Sequence, residues 1–285
     1  MSQTTRFLLI DNGSYRPEAT LNLRRLAAEL TAATGHRVDA VSLLHSGKID
    51  QSKLGGTPAL TFEPFLRSHH QSSCSNFVVV PLFFGPSAAA YEFLPQRVEV
   101  VRNELDWHDL EVRVGPALVD PSDTGDSRVA KILADSVRSQ ISLNSLDQPA
   151  VALCDHGAPR IGVTEVRNFL AIQLAKELGD TVSTVQPASM ERRPDPAYAF
   201  NEPLLENLLL TPEFSRQVVV SMLFFQPGRH AGPEGDVSKI CAEAKTSAPN
   251  QEAHMTELVG SHPGLIPILT ERLQQALNSA PIEPQ

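Results

Sequence analysis

The sequence of 285 residues is poor in cysteine and in aromatic residues. It has three cysteines, and none of them forms the Cys-x-x-Cys spacing that is typical of zinc sites and thiol–disulfide enzymes. An odd number of isolated cysteines predicts reduced thiols rather than a disulfide framework. The glycine-rich patterns GxGxxG and GxxxxGK[S/T] are absent from the ends of the strand-like runs, which disfavours a kinase or a dehydrogenase.

Long apolar runs are also missing. The N-terminal stretch has a run of four apolar residues before Asp11, too short for a secretory signal, and no later run reaches the roughly 18 apolar residues that span a membrane. We therefore expect a cytoplasmic protein with no membrane partner. The formal net charge of −9 disfavours nucleic acid as a partner. Hydrophobic residues still make up 41% of the chain, enough for one large domain or two ordinary ones.

What the sequence does contain is an internal repeat. Residues 7–35 parallel residues 151–179, and each copy has the pattern of a strand, a loop and an amphipathic helix. Residues 76–90 parallel residues 217–231 if one residue is inserted in the later copy, and each copy closes with a short strand, a turn and a helix. This order predicts an α/β protein of two duplicated, doubly wound domains with parallel sheets, at residues 1–143 and 144–285.

Two histidines distinguish the loops of the second half from those of the first. Ligands of such sheets bind beyond the carboxyl ends of the strands, where the loops DNGS, GPSAAA, DHGAP and QPGRHAG are predicted. His156 and His230 occupy positions that match Asn12 and Ala89 in the first half. Two converging imidazoles could ligate a divalent metal ion or accept protons near neutral pH. We therefore predict a working site in the second half and a degenerate one in the first.

Three carboxylates are further candidates for the same site. Glu191, in PASMERRPD beyond the second strand of that half, could serve as an oxygen ligand or a proton relay, or it could be a solvated loop residue. Asp155 and Asp236 could orient a histidine, or they could cap turns. His262, in GSHPG, is interpreted as a turn residue.

The segments DHGAP, LFFQPGRHAG and VGSHPGLIPILTERL resemble the CbiX-type sirohydrochlorin chelatases, and the resemblance extends over about residues 6–278 as a two-repeat form. It implies a chelatase-like fold and a lyase of class II, which inserts Co²⁺ or Fe²⁺ into sirohydrochlorin without ATP on the path to cobalamin or sirohaem. The two active-site histidines of the family match His156 and His230. A glutamate between the histidines of a related branch matches Glu191.

The resemblance also implies the partners. The substrate is a polycarboxylate, and the metal ion is a second substrate, so no permanently bound cofactor is expected. Arginine suits the bidentate capture of carboxylates. Residues 198–209 could form a helix beside the cleft or belong to the core. The arginines on the same three loops, each of which could alone be a surface charge, are Arg160, Arg192, Arg193 and Arg229.

Two alternatives to an enzyme stay open at this point. A non-catalytic tetrapyrrole or metal carrier would use the same residues without accelerating insertion, and a small-molecule-binding regulatory protein could use the same sheet. The ligand types accept cobalt, iron and nickel alike. The sequence leaves the choice of metal, the choice of tetrapyrrole and the oligomeric state open.

Overall fold

The computed structural model describes residues 5–72, 74–232 and 234–284. The chain divides into two compact units. The first unit comprises Met1–Leu118 with Ile266–Gln285, and the second comprises Val119–Leu265.

The first unit contains a five-stranded parallel sheet of order β3-β2-β1-β4-β5. A π-helical turn, Ala89–Phe93, leads directly into its third helix. Its elements in the first part of the chain are β1 (Thr5–Asp11), α1 (Pro17–Thr34), β2 (Val38–Ser42), β3 (Leu60–Thr61), α2 (Phe62–His69), β4 (Asn76–Pro81), α3 (Leu94–Leu105) and β5 (Glu111–Val114).

The second unit contains a four-stranded parallel sheet of order β7-β6-β8-β9. Its elements are α4 (Arg128–Asn144), β6 (Ala150–Asp155), α5 (Ile161–Leu178), β7 (Thr184–Ser189), α6 (Leu205–Leu208), β8 (Gln217–Met222), α7 (Asp236–Ser247) and β9 (Glu252–Met255). The last helix of the chain, α8 (Leu265–Leu277), belongs almost wholly to the first unit. The predicted fold class, two α/β domains with parallel sheets, is confirmed.

Buried apolar runs explain why the central strands form. The runs in β1, β4, β6 and β8 are shielded on both faces of their sheets, as expected for parallel strands under helices. Helix α1 buries Leu23, Leu26 and Leu30 along one stripe and ends at Gly35, whose φ of 71° is the left-handed value that glycine adopts without strain.

The strand register corrects one detail of the predicted repeat. Phe7 pairs with Val78, and its counterpart Val151 pairs with Val219. Val78 and Val219 are therefore equivalent, and β8 contains no inserted residue relative to β4. The VVV blocks are out of step by one position because Phe77 of the first copy corresponds to Val218 of the second.

The helix that closes each half of the sequence packs in the compact unit formed mainly by the other half. Helix α4 packs on α5 and β8 within the second unit. Arg272 of α8 donates hydrogen bonds to the carbonyl oxygens of Ala117 and Leu118, both at 2.9 Å, within the first unit. The boundaries of the compact units thus differ from the predicted domain boundary between residues 143 and 144, which follows the sequence repeat. Among the described residues, no helix combines the length and apolar character that crossing a membrane requires.

Candidate functional site

Two loops of the second unit meet where β6 and β7 end. Gly157 has a φ of 90°, and a Cβ atom at this position would lie 2.0 Å from the carbonyl oxygen of Glu191. The backbone N–H of Glu191 donates to the carbonyl oxygen of His156 at 3.3 Å. Only glycine allows this close approach, so the glycine of DHGAP brings His156 and Glu191 together.

The imidazoles of His156 and His230 face each other at this edge of the sheet. Their ring centroids are 4.6 Å apart and their planes are inclined by 80°. Nδ1 of His156 lies 2.9 Å from the carbonyl oxygen of Gly157, and Nδ1 of His230 lies 2.8 Å from Oδ2 of Asp236. A carbonyl or carboxylate oxygen can only accept, so Nδ1 is the donor in both rings. In the neutral rings the lone pairs are therefore on Nε2.

Glu191 completes the group that the sequence predicts. Its Oε1 lies 3.5 Å from Nε2 of His156, and its side chain is 59% exposed. The side chain of His156 is 47% exposed and that of His230 28%. The group is open to solvent rather than enclosed. Within the described ranges, no three or more histidine, cysteine, aspartate or glutamate side chains are grouped so that together they could hold a metal ion.

Asp236 orients His230, the role proposed for it from the sequence. This aspartate is the first residue of α7, and its carboxylate also lies 3.3 Å from Nζ of Lys239 and 3.6 Å from Nε of Arg229. Burial acts to raise the pKa of Asp236, but the hydrogen bonds from His230 and Lys239 bring it below its ordinary value. A carboxylate that accepts the Nδ1 proton fixes both the tautomer and the direction of the ring.

Asp155 holds the backbone of the loop and makes no hydrogen bond to an imidazole. Its Oδ1 accepts from the N–H of Gly157 at 3.1 Å and from the hydroxyl of Ser189 at 2.6 Å. Burial raises the pKa of Asp155, and the nearby Arg167, with Nη1 at 3.7 Å from Oδ1, acts in the opposite direction. Asp155 therefore ties the end of β6 to the end of β7.

A buried arginine connects these loops to a third segment, and the sequence reasoning missed it. The side chain of Arg167, on α5, is 1% exposed. Its Nη1 donates to the Ser189 hydroxyl and to the carbonyl oxygen of Asn201, the latter at 2.9 Å. Asn201 in turn accepts from the N–H of Ala158 at 2.9 Å. The repeat offset would have revealed this residue, because Arg167 occupies the position of the buried Leu23 in α1.

The predicted carboxylate-binding arginines differ in their exposure and in the side chains that they contact. Arg229 is 79% exposed beside the site. Nε of Arg192 donates to Oε1 of Glu202 at 2.7 Å, and Arg193 donates to the hydroxyl of Tyr198 at 2.9 Å and stacks over its ring. Arg160 is exposed and is the N-cap residue of α5.

The segment at 198–209 is not one continuous helix. It consists of a 3₁₀ turn at Pro196–Asn201 and the short helix α6. Leu205, Leu208 and Leu209 belong to the core, whereas Tyr198 faces Arg193. His262 lies in a turn, as interpreted from the sequence, since its Nδ1 accepts from the N–H of Gly264 at 3.1 Å.

The loops after β1 and β2 of the first unit have the same backbone as those after β6 and β7, without these side chains, whereas the loop after β4 differs because Ala89 begins a π-helical turn. Gly13 has a φ of 88°, a Cβ atom there would lie 1.8 Å from the carbonyl oxygen of Leu44, and the N–H of Leu44 donates to the carbonyl oxygen of Asn12. Leu44 is thus the counterpart of Glu191. The buried alanines that follow Ala89 and His230, at 90 and 231, confirm that those two positions are equivalent.

Comparison with solved structures defines the fold. SirB from Bacillus subtilis with Fe³⁺ matches with a TM-score of 0.67 at 13% identity, with 97% of both chains covered. The sirohydrochlorin chelatase SirB from the subspecies spizizenii, in complex with cobalt, matches with a TM-score of 0.68 at 15% identity, covering 99% of this chain and 100% of that one. DR2241 from Deinococcus radiodurans, a multi-domain protein with structural similarity to chelatases, matches at 0.59 and 17% identity, covering 96% of this chain and 56% of that one. The fold is therefore chelatase-like.

A family model matches part of the second half of the sequence. Residues 150–276 match the CbiX family model, which confirms the CbiX-type resemblance for the part of the chain that holds His156, Glu191 and His230. No curated protein matches the chain.

Proposed function

We propose that the second unit inserts Co²⁺ or Fe²⁺ into a sirohydrochlorin-type tetrapyrrole without ATP. The observation that carries this proposal is the pair of facing imidazoles, whose Nδ1 atoms are both engaged, so that two Nε2 lone pairs are available at the ligand-binding edge of the sheet. The match to the CbiX model over residues 150–276 and the likeness to structures of SirB, which were solved with iron and with cobalt, support it.

Metal insertion needs a ligand that releases the ion and a base that accepts the two protons lost from the pyrrole nitrogens. Neutral imidazole is a good ligand of Co²⁺ and Fe²⁺ and also accepts a proton. We assign both tasks to His156 and His230, with Glu191 as a third ligand or as the group that passes the protons to solvent. Two imidazoles and one exposed carboxylate leave coordination positions open for the nitrogens of the macrocycle, which suits a metal ion that is a substrate.

The same proposal assigns Arg160, Arg192, Arg193 and Arg229 to the carboxylates of the substrate. Arg229 is well placed because it is 79% exposed and adjoins His230. Arg192 must exchange Glu202 for a substrate carboxylate, so we expect a smaller contribution from it. We place the reaction in the cytoplasm on a path to cobalamin or sirohaem, with residues 144–285 as the working copy and residues 1–143 as the degenerate copy.

The test is anaerobic insertion of Co²⁺ and of Fe²⁺ into sirohydrochlorin, followed by absorbance. We expect His156→Ala and His230→Ala each to lower the initial rate by about 100-fold or more, the typical contribution of a positioned acid–base group. His108→Ala is the matched control, because its side chain is 84% exposed in the first unit. Full activity of both site variants would overturn the proposal. Stoichiometric metal or tetrapyrrole binding by the wild type, with no rate above spontaneous insertion, would indicate a carrier instead.

A further inference from the structure

The second unit has an open groove between strand β9 and helix α7. The groove has a volume of about 580 Å³. Strand β9 is the edge of its sheet, and among the described residues it pairs only with β8. None of the residues around the groove belongs to the candidate site. The groove is lined by Asn144, by Ser238, Cys241, Ala242 and Lys245 of α7, and by the four residues of β9.

The equivalent edge of the first unit is covered by the C-terminal segment of the chain. The N–H of Ile282 donates to the carbonyl oxygen of Val112 at 2.8 Å, and Pro281 forms an antiparallel bridge with Arg113 of β5. Nη2 of Arg102, on α3, donates to the carbonyl oxygen of Ile282 at 3.3 Å. The side chain of Ile282 packs against the hydrophobic core. This segment therefore extends the sheet by a short antiparallel addition.

The strand register shows that β5 and β9 are equivalent. Val112 pairs with Phe77 of β4, and Ala253 pairs with Val218 of β8. Since Phe77 and Val218 are counterparts in the repeat, Ala253 is the counterpart of Val112. The carbonyl oxygen of Ala253 is therefore the acceptor for a residue that covers this edge as Ile282 covers the edge of the first unit.

The helices beside these strands correspond as well. The core-facing positions of α3 are Leu94, Val98 and Val101, with spacings of four and then three. In α7 the same spacing places Cys241 between the buried residues Val237 and Ala244. Cys241 is thus the counterpart of Val98, and the next positions, Lys245 and Arg102, also correspond.

The counterparts differ in exposure, since among the described residues a covering segment is seen on the edge of the first unit alone. Val98 and Val112 are fully buried in the first unit, whereas Cys241 and Ala253 are partly exposed in the second. Nε2 of His254, in the middle of β9, is shielded from solvent and has no hydrogen-bond partner in the part of the chain that the structure describes. An edge strand beside an open groove with both polar and apolar lining is a template for strand addition.

We propose that this groove binds an extended peptide segment of a partner protein, which adds antiparallel to β9 and places one branched apolar side chain in the groove. A backbone N–H of the peptide donates to Ala253, as Ile282 donates to Val112, and Lys245 replaces Arg102 beside the peptide carbonyl. The C-terminal segment of a second copy is a poorer occupant. That segment is already held by its own chain, where the effective concentration of its groove is high.

The probe is a synthetic peptide with the sequence of residues 279–284, Ser-Ala-Pro-Ile-Glu-Pro, added to the full-length protein. The readout is alkylation of Cys241, located by mass spectrometry, since Cys74 and Cys154 are buried. Burial raises the pKa of the Cys241 thiol to about 11, so the reaction is followed at mildly alkaline pH. At several times the peptide's Kd, which we expect to be on the order of 1 mM, the rate should fall roughly fivefold. Hydrogen exchange over residues 252–255 should slow in parallel.

Two controls separate this result from nonspecific effects. A peptide with alanine in place of isoleucine should protect Cys241 far less. Val98→Cys places a thiol at the corresponding position under the C-terminal segment, and this thiol should react slowly with or without peptide. Unchanged alkylation of Cys241 at the highest soluble peptide concentration would overturn the proposal. Protection that grows with protein concentration alone would assign the groove to a second copy and would equally overturn the partner assignment.

Discussion

The loops after β1 and β6 share one backbone conformation, and the two units differ in the side chains that they present near these loops. Gly13 and Gly157 adopt the same left-handed conformation against the carbonyl oxygens of Leu44 and Glu191. At the three matched positions the second unit has His156, Glu191 and His230, and the first has asparagine, leucine and alanine. The glycine is a requirement of the fold, since both copies keep it. The imidazoles and the carboxylate are not, since the first copy forms the corresponding parallel sheet without them.

The difference continues beneath the loops. Thr164 donates to Asn201 at 3.1 Å, within the network that contains Arg167. In the first unit Leu23 occupies the position of Arg167, and among the described residues the hydroxyl of Thr20, the counterpart of Thr164, has no hydrogen-bond partner. The first unit holds its loop through a serine instead, since the hydroxyl of Ser46 donates to the hydroxyl of Ser42 at 2.9 Å and accepts from the N–H of Ser14 at 3.2 Å. The second unit uses a buried arginine, which fixes the loop geometry through several directed hydrogen bonds.

Replacing the network by the residue of the first unit should have the largest effect on stability. Arg167→Leu leaves Ser189 and the carbonyl oxygen of Asn201 without their shared donor and removes the positive charge 3.7 Å from Oδ1 of Asp155. We expect the free energy of unfolding to fall by about 3–5 kcal/mol, as when one partner of a buried ion pair is removed. A urea titration measures it. Arg138→Leu, which removes an arginine that is 45% exposed, is the control and should cost about 1 kcal/mol or less. A cost as small for Arg167→Leu would contradict the assigned role.

Substitution of either loop glycine by alanine should have an intermediate effect on stability, and the two variants form a matched pair. Gly13→Ala and Gly157→Ala force a Cβ atom to within 1.8 and 2.0 Å of a carbonyl oxygen, so each loop must shift. We expect each to lower the free energy of unfolding by about 2 kcal/mol, the typical cost of such backbone strain. Only Gly157→Ala should also lower the insertion rate. Loss of activity in Gly13→Ala of similar size would show that the first unit takes part in the reaction.

The carboxylate should have the smallest of these effects. Glu191→Leu introduces the residue of the first unit, and we expect about a tenfold lower insertion rate with little change in stability, because the side chain is 59% exposed. Glu191→Gln tests whether the charge or the shape matters. Leu44→Ala in the first unit is the control and should leave the rate unchanged. A wild-type rate in Glu191→Leu would remove this residue from the site.

Much of the fold could be predicted from the sequence because the sequence contains two copies of one α/β unit. Continuous apolar runs indicate the buried strands, and the repeat shows which loops share an edge. The two histidines were identified by the same comparison, as differences between copies at equivalent positions. The structure brings His156 and His230 together, and it adds that Leu44 is the counterpart of Glu191.

Other features depend on long-range packing that no local pattern records. The repeat places Arg167 at the position of the buried Leu23, but only the tertiary structure shows which groups its guanidinium contacts. The exchange of α4 and α8 is equally hidden, since a helix that follows a strand is expected to cover that strand's own sheet. The pairing of Arg192 with Glu202 depends on a loop conformation that residue types alone do not determine.

The most direct test of the account is the initial rate of Co²⁺ insertion into sirohydrochlorin by a double variant, His156→Asn with His230→Ala. This variant gives the second unit the residues of Asn12 and Ala89, while the backbone that both units share is retained. Circular dichroism and the urea midpoint verify the fold. We predict that insertion falls to the spontaneous rate. A rate equal to that of the wild type would contradict the claim that the second unit performs the chemistry.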